Sequence, residues 1–171
     1  MGYFFLKMEL RKANKDEISI IQDIAYITWP VAYGDILSQE KIDYMLGMMY
    51  STEALTEQMD NGHIFLIINE NNKDLGFVSF ENNYSKSSKT KIQKIYILPE
   101  AQGKGVGRLL INEAEKLSKD IGNTMLFLNV NRHNKAQFMY QKLGFEISKS
   151  EDVDIGNGFF MNDYVMEKVI E

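Results

Sequence analysis

Three alternating glycines in Gln102-Gly103-Lys104-Gly105-Val106-Gly107 stand where an extended segment gives way to a helical one. The preceding stretch, residues 92–98, is strand-like and ends at Pro99. The following stretch repeats Val106, Leu109, Leu110, Ala114, Leu117 and Ile121 at helical spacing. Glycines at such a junction let the backbone approach a ligand with no Cβ in the way. The first turn of a helix also leaves N–H groups unpaired at the positive end of its dipole. Together these features make an anion cradle, most often for phosphate or pyrophosphate. A Gly-rich turn entering a surface helix is the plain alternative. Against it, a glycine inside a helix costs roughly 1 kcal/mol, which a mere connector has no reason to bear.

The spacing narrows the ligand. A Walker-type loop needs Gly-Lys-Ser/Thr, and no Ser or Thr follows Lys104. A dinucleotide fold places Gly-x-Gly-x-x-Gly after its first strand, with an acidic residue roughly 20 residues on. Here the motif lies past mid-chain and its last interval is one residue short. Residues 124–130 are apolar at nearly every position, as strands buried on both faces are. Strand 92–98, helix 106–121 and strand 124–130 therefore form a βαβ crossover. Ile92 falls out of phase with Ile95 and Ile97, so a bulge is expected between them.

The other elements alternate without repeats. Residues 4–10 read as a strand. Asn14 with Glu17 reads as a capping box before a helix that Trp29-Pro30 breaks. Ser38 and Ser51-Thr52 open two further helices. Strands follow over 63–68 and 75–81, then a polar, Ser-rich loop over 82–89, and a hairpin closes the chain over 147–170. Near the end of the chain, Ala136, Met139, Tyr140 and Leu143 share one helical face, with Gly144 as the C-terminal cap. A tyrosine on an apolar face is by default a core residue.

The pattern Gln/Arg-x-x-Gly-x-Gly/Ala resembles the pyrophosphate loop of the GNAT acetyltransferases. Ile95-Tyr96-Ile97 before the loop and Tyr140-Gln141-Lys142-Leu143-Gly144-Phe145 after it extend the likeness. The resemblance implies a single mixed α/β domain over residues 1–171. Its sheet would be mostly antiparallel, of about seven strands with one splayed parallel pair, flanked by about four helices. It implies acetyl-CoA as co-substrate. Gln102, Gly103, Lys104, Gly105, Val106, Gly107 and Arg108 would hold the pyrophosphate. Ile95, Tyr96 and Ile97 would offer backbone groups to the pantetheine arm and the thioester carbonyl. Asn134 would bond the cofactor, with Asn131 as its rival. Tyr140 would protonate the departing thiolate, a general-acid role that a phenol can fill.

Many members of the family carry a glutamate where this chain has Gln93, which cannot take a proton. Glu81 is the nearest carboxylate expected toward the cleft, and the general base stays unassigned. Trp29, Tyr33, Tyr44, Phe159 and Phe160 are the candidate walls of the acceptor site. The stretch Phe160-Met161-x-Asp163-x-x-Met166 also resembles bacterial spermidine/spermine acetyltransferases. That makes a polyamine or other small primary amine the leading acceptor. A non-catalytic acyl-CoA sensor would keep the loop but would not need Tyr140, so Tyr140 favours the enzyme.

Composition removes other classes. The net charge of −5 argues against a nucleic-acid binder. No cysteine is present, and the two histidines, His63 and His133, are in no ligand spacing, so no metal is expected. Residues 1–6 are apolar but too short for a membrane span, and they lack the basic start of a signal peptide. The expected location is the cytoplasm, with no membrane partner. A homodimer is compatible with the resemblance.

Overall fold

The computed structural model describes residues 7–171. Its elements run β1 (Met8–Lys12), α1 (Ile18–Tyr33), α2 (Gln39–Tyr50), α3 (Thr52–Asp60), β2 (Ile64–Glu70) and β3 (Lys73–Glu81). They continue with β4 (Lys89–Ile97), α4 (Val106–Asp120), β5 (Met125–Asn131), α5 (Ala136–Lys142), β6 (Glu146–Gly156) and β7 (Phe159–Val169). The strands form one sheet in the order β1-β2-β3-β4-β5-β7-β6. Among the described residues only β4 and β5 pair in parallel. The expected first strand lies in part outside the described residues; its described portion is β1.

Each face of the sheet buries its own core. Against one face, α4 and α5 bring Val106, Leu110, Ala114 and Leu143 onto Val78, Phe80, Ile92, Leu126 and Leu128. Against the other, α1, α2 and α3 bring Ile21, Trp29, Ile42, Tyr50 and Leu55 onto Phe65, Ile67 and Phe77. No helix among the described residues is long and apolar enough to cross a membrane.

The serine caps act as expected. Ser38 Oγ accepts from the Lys41 N–H at 3.2 Å, and Ser51 Oγ from the Ala54 N–H at 3.1 Å. Three local expectations need correction. Asn14 does accept from a backbone N–H, that of Asp16 at 2.9 Å, but it caps a short 3₁₀ turn. Glu17 leaves the capping box open, because its carboxylate takes the Arg11 Nε–H at 2.8 Å. Pro30 does not break α1, which runs through it to Tyr33. A proline removes one donor, and the carbonyl it would have bonded belongs to Tyr26, on the exposed side of the helix. Finally, β4 starts at Lys89, inside the Ser-rich stretch read as loop, because Thr90 and Ile92 alternate inward there.

The expected bulge is present. Ser79 pairs with Lys94 and Phe80 with Ile92, which leaves Gln93 as the extra residue on β4.

Candidate active site

The cleft begins where the parallel pairing ends. β4 and β5 are in register over only four positions, from Lys89 opposite Met125 to Ile92 opposite Leu128. Beyond the Gln93 bulge β4 stays with β3 as far as Ile97, while β5 stays with β7 as far as Asn131. Two strands that share an edge and then follow different neighbours must separate. The backbone groups of Lys94 to Ile97 that point away from β3 are then left facing the gap. The resulting cleft has a volume of about 1160 Å³.

The glycine loop closes one end of it. Gly103 has φ of +79° and Gly105 of +78°, a left-handed backbone that an L side chain rarely adopts. Neither would-be Cβ meets an atom within 4 Å, so both glycines border open space. Gly105 is the N-cap of α4, where the first N–H groups of the helix have no internal partner. An anion fits that concave, positive end. Gly107 has a different purpose. A Cβ there would lie 2.9 Å from Met139 Sδ and 3.2 Å from Ile97 Cδ1, so this glycine lets α4 pack against β4 and α5.

Most of the residues expected around a cofactor line this one cleft: Ile95, Tyr96, Ile97, Gln102, Gly103, Gly105, Val106, Gly107, Arg108, Asn134 and Tyr140. Lys104 is exposed and not part of the wall. Of the two asparagines, Asn134 lines the cleft and Asn131 does not. Asn131 instead closes a turn by accepting from the His133 N–H at 2.9 Å.

Three phenols gather at the gap. The hydroxyls of Tyr33 and Tyr96 are 2.8 Å apart, joining α1 to β4. Burial holds the Tyr33 phenol above its ordinary pKa, and the Tyr96 hydroxyl and Asn134 side chain pull it part of the way back. Burial likewise raises Tyr96, with the Tyr33 and Tyr50 phenols adding to the rise. Tyr140 comes from α5 with its ring edge-on to Phe145 at 5.9 Å. Burial first, and then Tyr33, push its phenol well above the ordinary value. All three stay protonated through neutral pH, so each can donate a proton or hydrogen bond.

On the acceptor side, two of the expected residues do not line the cleft. Trp29 is 1% exposed and sits behind the wall, with its ring 4.6 Å from that of Tyr33, which does reach the cleft. The indole is covered because α1 continues through Pro30 and keeps Trp29 turned to the sheet. Glu81 also lies behind the lining, because Gln93 stands between it and the gap. Gln93 Nε2 donates to Glu81 Oε2 at 3.2 Å, and His63 Nε2 is 3.3 Å from the same oxygen. Tyr44 joins α2 to the closing hairpin, donating to the Ile155 carbonyl at 2.6 Å and packing on Phe159 at 5.4 Å.

Some lining residues carried no sequence expectation. Lys94, Asn129 and His133 are among them. Asn129 had a visible signal, a polar residue within the apolar run of β5. Lys94 is 9% exposed, donates to Gln58 Oε1 at 2.9 Å and lies over the Tyr50 ring at 5.2 Å. Burial, with Lys91 nearby, lowers its pKa to about 8.

Known proteins agree with this geometry. The family model of the acetyltransferase (GNAT) domain matches residues 35–168. A spermidine N(1)-acetyltransferase of Thermoplasma acidophilum is 28% identical, over 97% of this chain and 99% of the relative. The ribosomal protein bS18-alanine N-acetyltransferase of Haemophilus influenzae is 30% identical, over 65% of this chain and 70% of its own length. Among solved structures, the PaiA N-acetyltransferase of T. acidophilum in complex with coenzyme A superposes with a TM-score of 0.79. It is 29% identical and covers 96% of this chain and 99% of its own. With a splayed parallel pair, a glycine cradle and a family model that matches residues 35–168, the chain belongs to the GNAT family of acyl-CoA-dependent N-acetyltransferases.

Proposed function

We propose that the protein moves the acetyl group of acetyl-CoA to a primary amine, with a polyamine as the leading acceptor, by direct attack in a ternary complex. The observation that carries this reading is the gap between β4 and β5, which has the glycine cradle at one end and Tyr140 on its wall. A pantetheine arm laid along Lys94 to Ile97 would complete the strand edge that β5 abandons. The pyrophosphate would sit on the first N–H groups of α4, with Arg108 adding charge. Asn134 would bond the arm from the opposite side. Backbone N–H groups near Tyr96 and Ile97 would polarise the thioester carbonyl.

The amine nitrogen attacks the carbonyl carbon, the C–S bond breaks, and Tyr140 supplies the proton that the departing sulfur takes up. Burial keeps the phenol protonated at neutral pH, so the proton is present when the sulfur departs. A polyamine is supported by the near full-length similarity to a spermidine acetyltransferase. Thiol release from acetyl-CoA, followed across polyamines, amino acids, aminoglycosides and peptide N-termini, tests the reading. Turnover highest on polyamines is the expected result. Turnover on another amine class only would replace the acceptor, and cofactor binding without turnover on any amine would overturn the enzyme.

A further inference from the structure

We propose that the Gln93 carbonyl oxygen orients the attacking amine, and that Glu81 and His63 are positioning residues which fix the direction in which that amide points. The inference rests on the acetyl-transfer reading and adds residues to it.

Gln93 is the bulged residue of β4 and lines the cleft where β4 leaves β5. A side-chain amide has one donating end and one accepting end, and packing alone scarcely distinguishes them. Here the surroundings do. The end nearer Glu81 lies 3.2 Å from Oε2, and a carboxylate oxygen accepts but does not donate. The opposite orientation would set two oxygens against each other. Nε2 is therefore held on Glu81, and Oε1 is free to accept from a guest.

His63 secures the arrangement from behind. Its Nε2 is 3.3 Å from the same Glu81 oxygen. Its Nδ1 is buried without a partner, so a proton placed there would have nothing to bond. Burial also pushes the imidazole below its ordinary pKa. The single ring proton accordingly sits on Nε2 and donates to Glu81. Burial opposes a second ring proton most, Glu81 favours one, and Lys94 and Lys91 oppose it further, with a net fall in pKa.

An acceptor on the Gln93 carbonyl suits this reaction. As the amine nitrogen bonds to the thioester carbon it gains positive charge, and its N–H groups become stronger donors. A carbonyl dipole already aimed at one of them gains more in the transition state than in the ground state. Gln93 takes no proton. The excess proton of the nitrogen passes to water, and water returns one to Tyr140 after the thiol has left. The sum is amine plus thioester giving amide plus thiol.

Steady-state kinetics with the amine that the parent acetylates provide the test. Gln93→Leu should lower kcat/KM for the amine by roughly 10-fold to 100-fold, as for a lost hydrogen bond to a group gaining charge. Acetyl-CoA should still raise the melting temperature as it does for the parent. Glu81→Gln keeps the shape but lets the Gln93 amide turn, and should cost roughly 5-fold to 10-fold, near a neutral hydrogen bond. Adding Glu81→Gln to Gln93→Leu should then cost nothing more, because Glu81 acts only through Gln93. Parental kcat/KM in Glu81→Gln would overturn the proposal. So would a full Glu81→Gln penalty that persists in the Gln93→Leu background. A parent that acetylates no amine would instead overturn the underlying reading, before any variant is compared.

Discussion

The two faces of the sheet solve the same burial problem in different ways. Under α4 the core is mostly aliphatic, and the buried polar groups there satisfy one another. Thr90 Oγ1 donates within 2.8 Å of Asn82 Oδ1 and Asn123 Oδ1, and Ser118 Oγ bonds the Ala114 carbonyl at 2.7 Å. Under α1, α2 and α3 aliphatic residues also predominate, but Trp29, Tyr50, Phe65 and Phe77 pack among them and polar groups are left unpaired. Four buried side-chain atoms among the described residues have no partner: Trp29 Nε1, Tyr50 Oη, His63 Nδ1 and Ser79 Oγ. All four lie on this second face, together with Lys94. An unpartnered buried polar group costs about 1–3 kcal/mol. One face is thus packed for stability, and the other keeps polar groups beside the place where an acceptor would enter.

Four substitutions test this contrast. Leu110→Ala removes a fully buried side chain from the α4 face. It should destabilise by about 2–5 kcal/mol in urea unfolding, the range for leucine cavities. A loss under 1 kcal/mol would show that this face is no tighter than its opposite.

Tyr140 carries a hydroxyl into the mostly aliphatic core under α4 and α5. If the hydroxyl serves chemistry, Tyr140→Phe should cut turnover by roughly 100-fold while cofactor-induced stabilisation is kept. Parental turnover in a folded variant would reduce Tyr140 to a core residue.

Lys94→Met should raise stability. The lysine pKa falls from the usual 10.5 to about 8, so the native state disfavours its charge. A group depressed in this way makes the parent weakest below pH 8, and stability recovers as pH rises from 8 to 10.5. The variant should gain about 1–3 kcal/mol at pH 7 and lose that advantage across the same window. Melting curves at pH 7 and pH 10 decide it, and a destabilised variant at pH 7 would reverse the sign.

The smallest effect is expected from Ser79→Ala, which deletes a fully buried hydroxyl without a partner. Stability should equal the parent's or exceed it by up to about 1 kcal/mol. A clear loss would mean that the hydroxyl has a bonding partner in solution.

The α4 side was the more legible in sequence. Glycine spacing, a 3.6-residue apolar stripe and a phase slip at Ile92 are local signals, and each marked a feature of the fold. The other side depends on depth, which residue order does not encode. Trp29 and Tyr33 lie one helical turn apart on α1, yet one is sealed behind the wall and the other reaches the cleft. Gln93 and Glu81 are 12 residues apart in the chain, and which stands in front follows from the bulge and the pairing of β3 with β4. Glu17 abandoned its cap for Arg11, which itself reaches Asp74 at 2.8 Å, a contact made across the fold.

The short parallel seam also has a mechanical meaning. β1 to β4 form one stiff plate and β5 to β7 another, and within the sheet only the four-position seam welds them. Joined at one end, the two plates diverge toward the other, as a hinge of fixed geometry would hold them. The Tyr33–Tyr96 contact ties α1 to the first plate. A guest that bonds both free edges would act as a brace, and its first effect on the molecule would be stiffness.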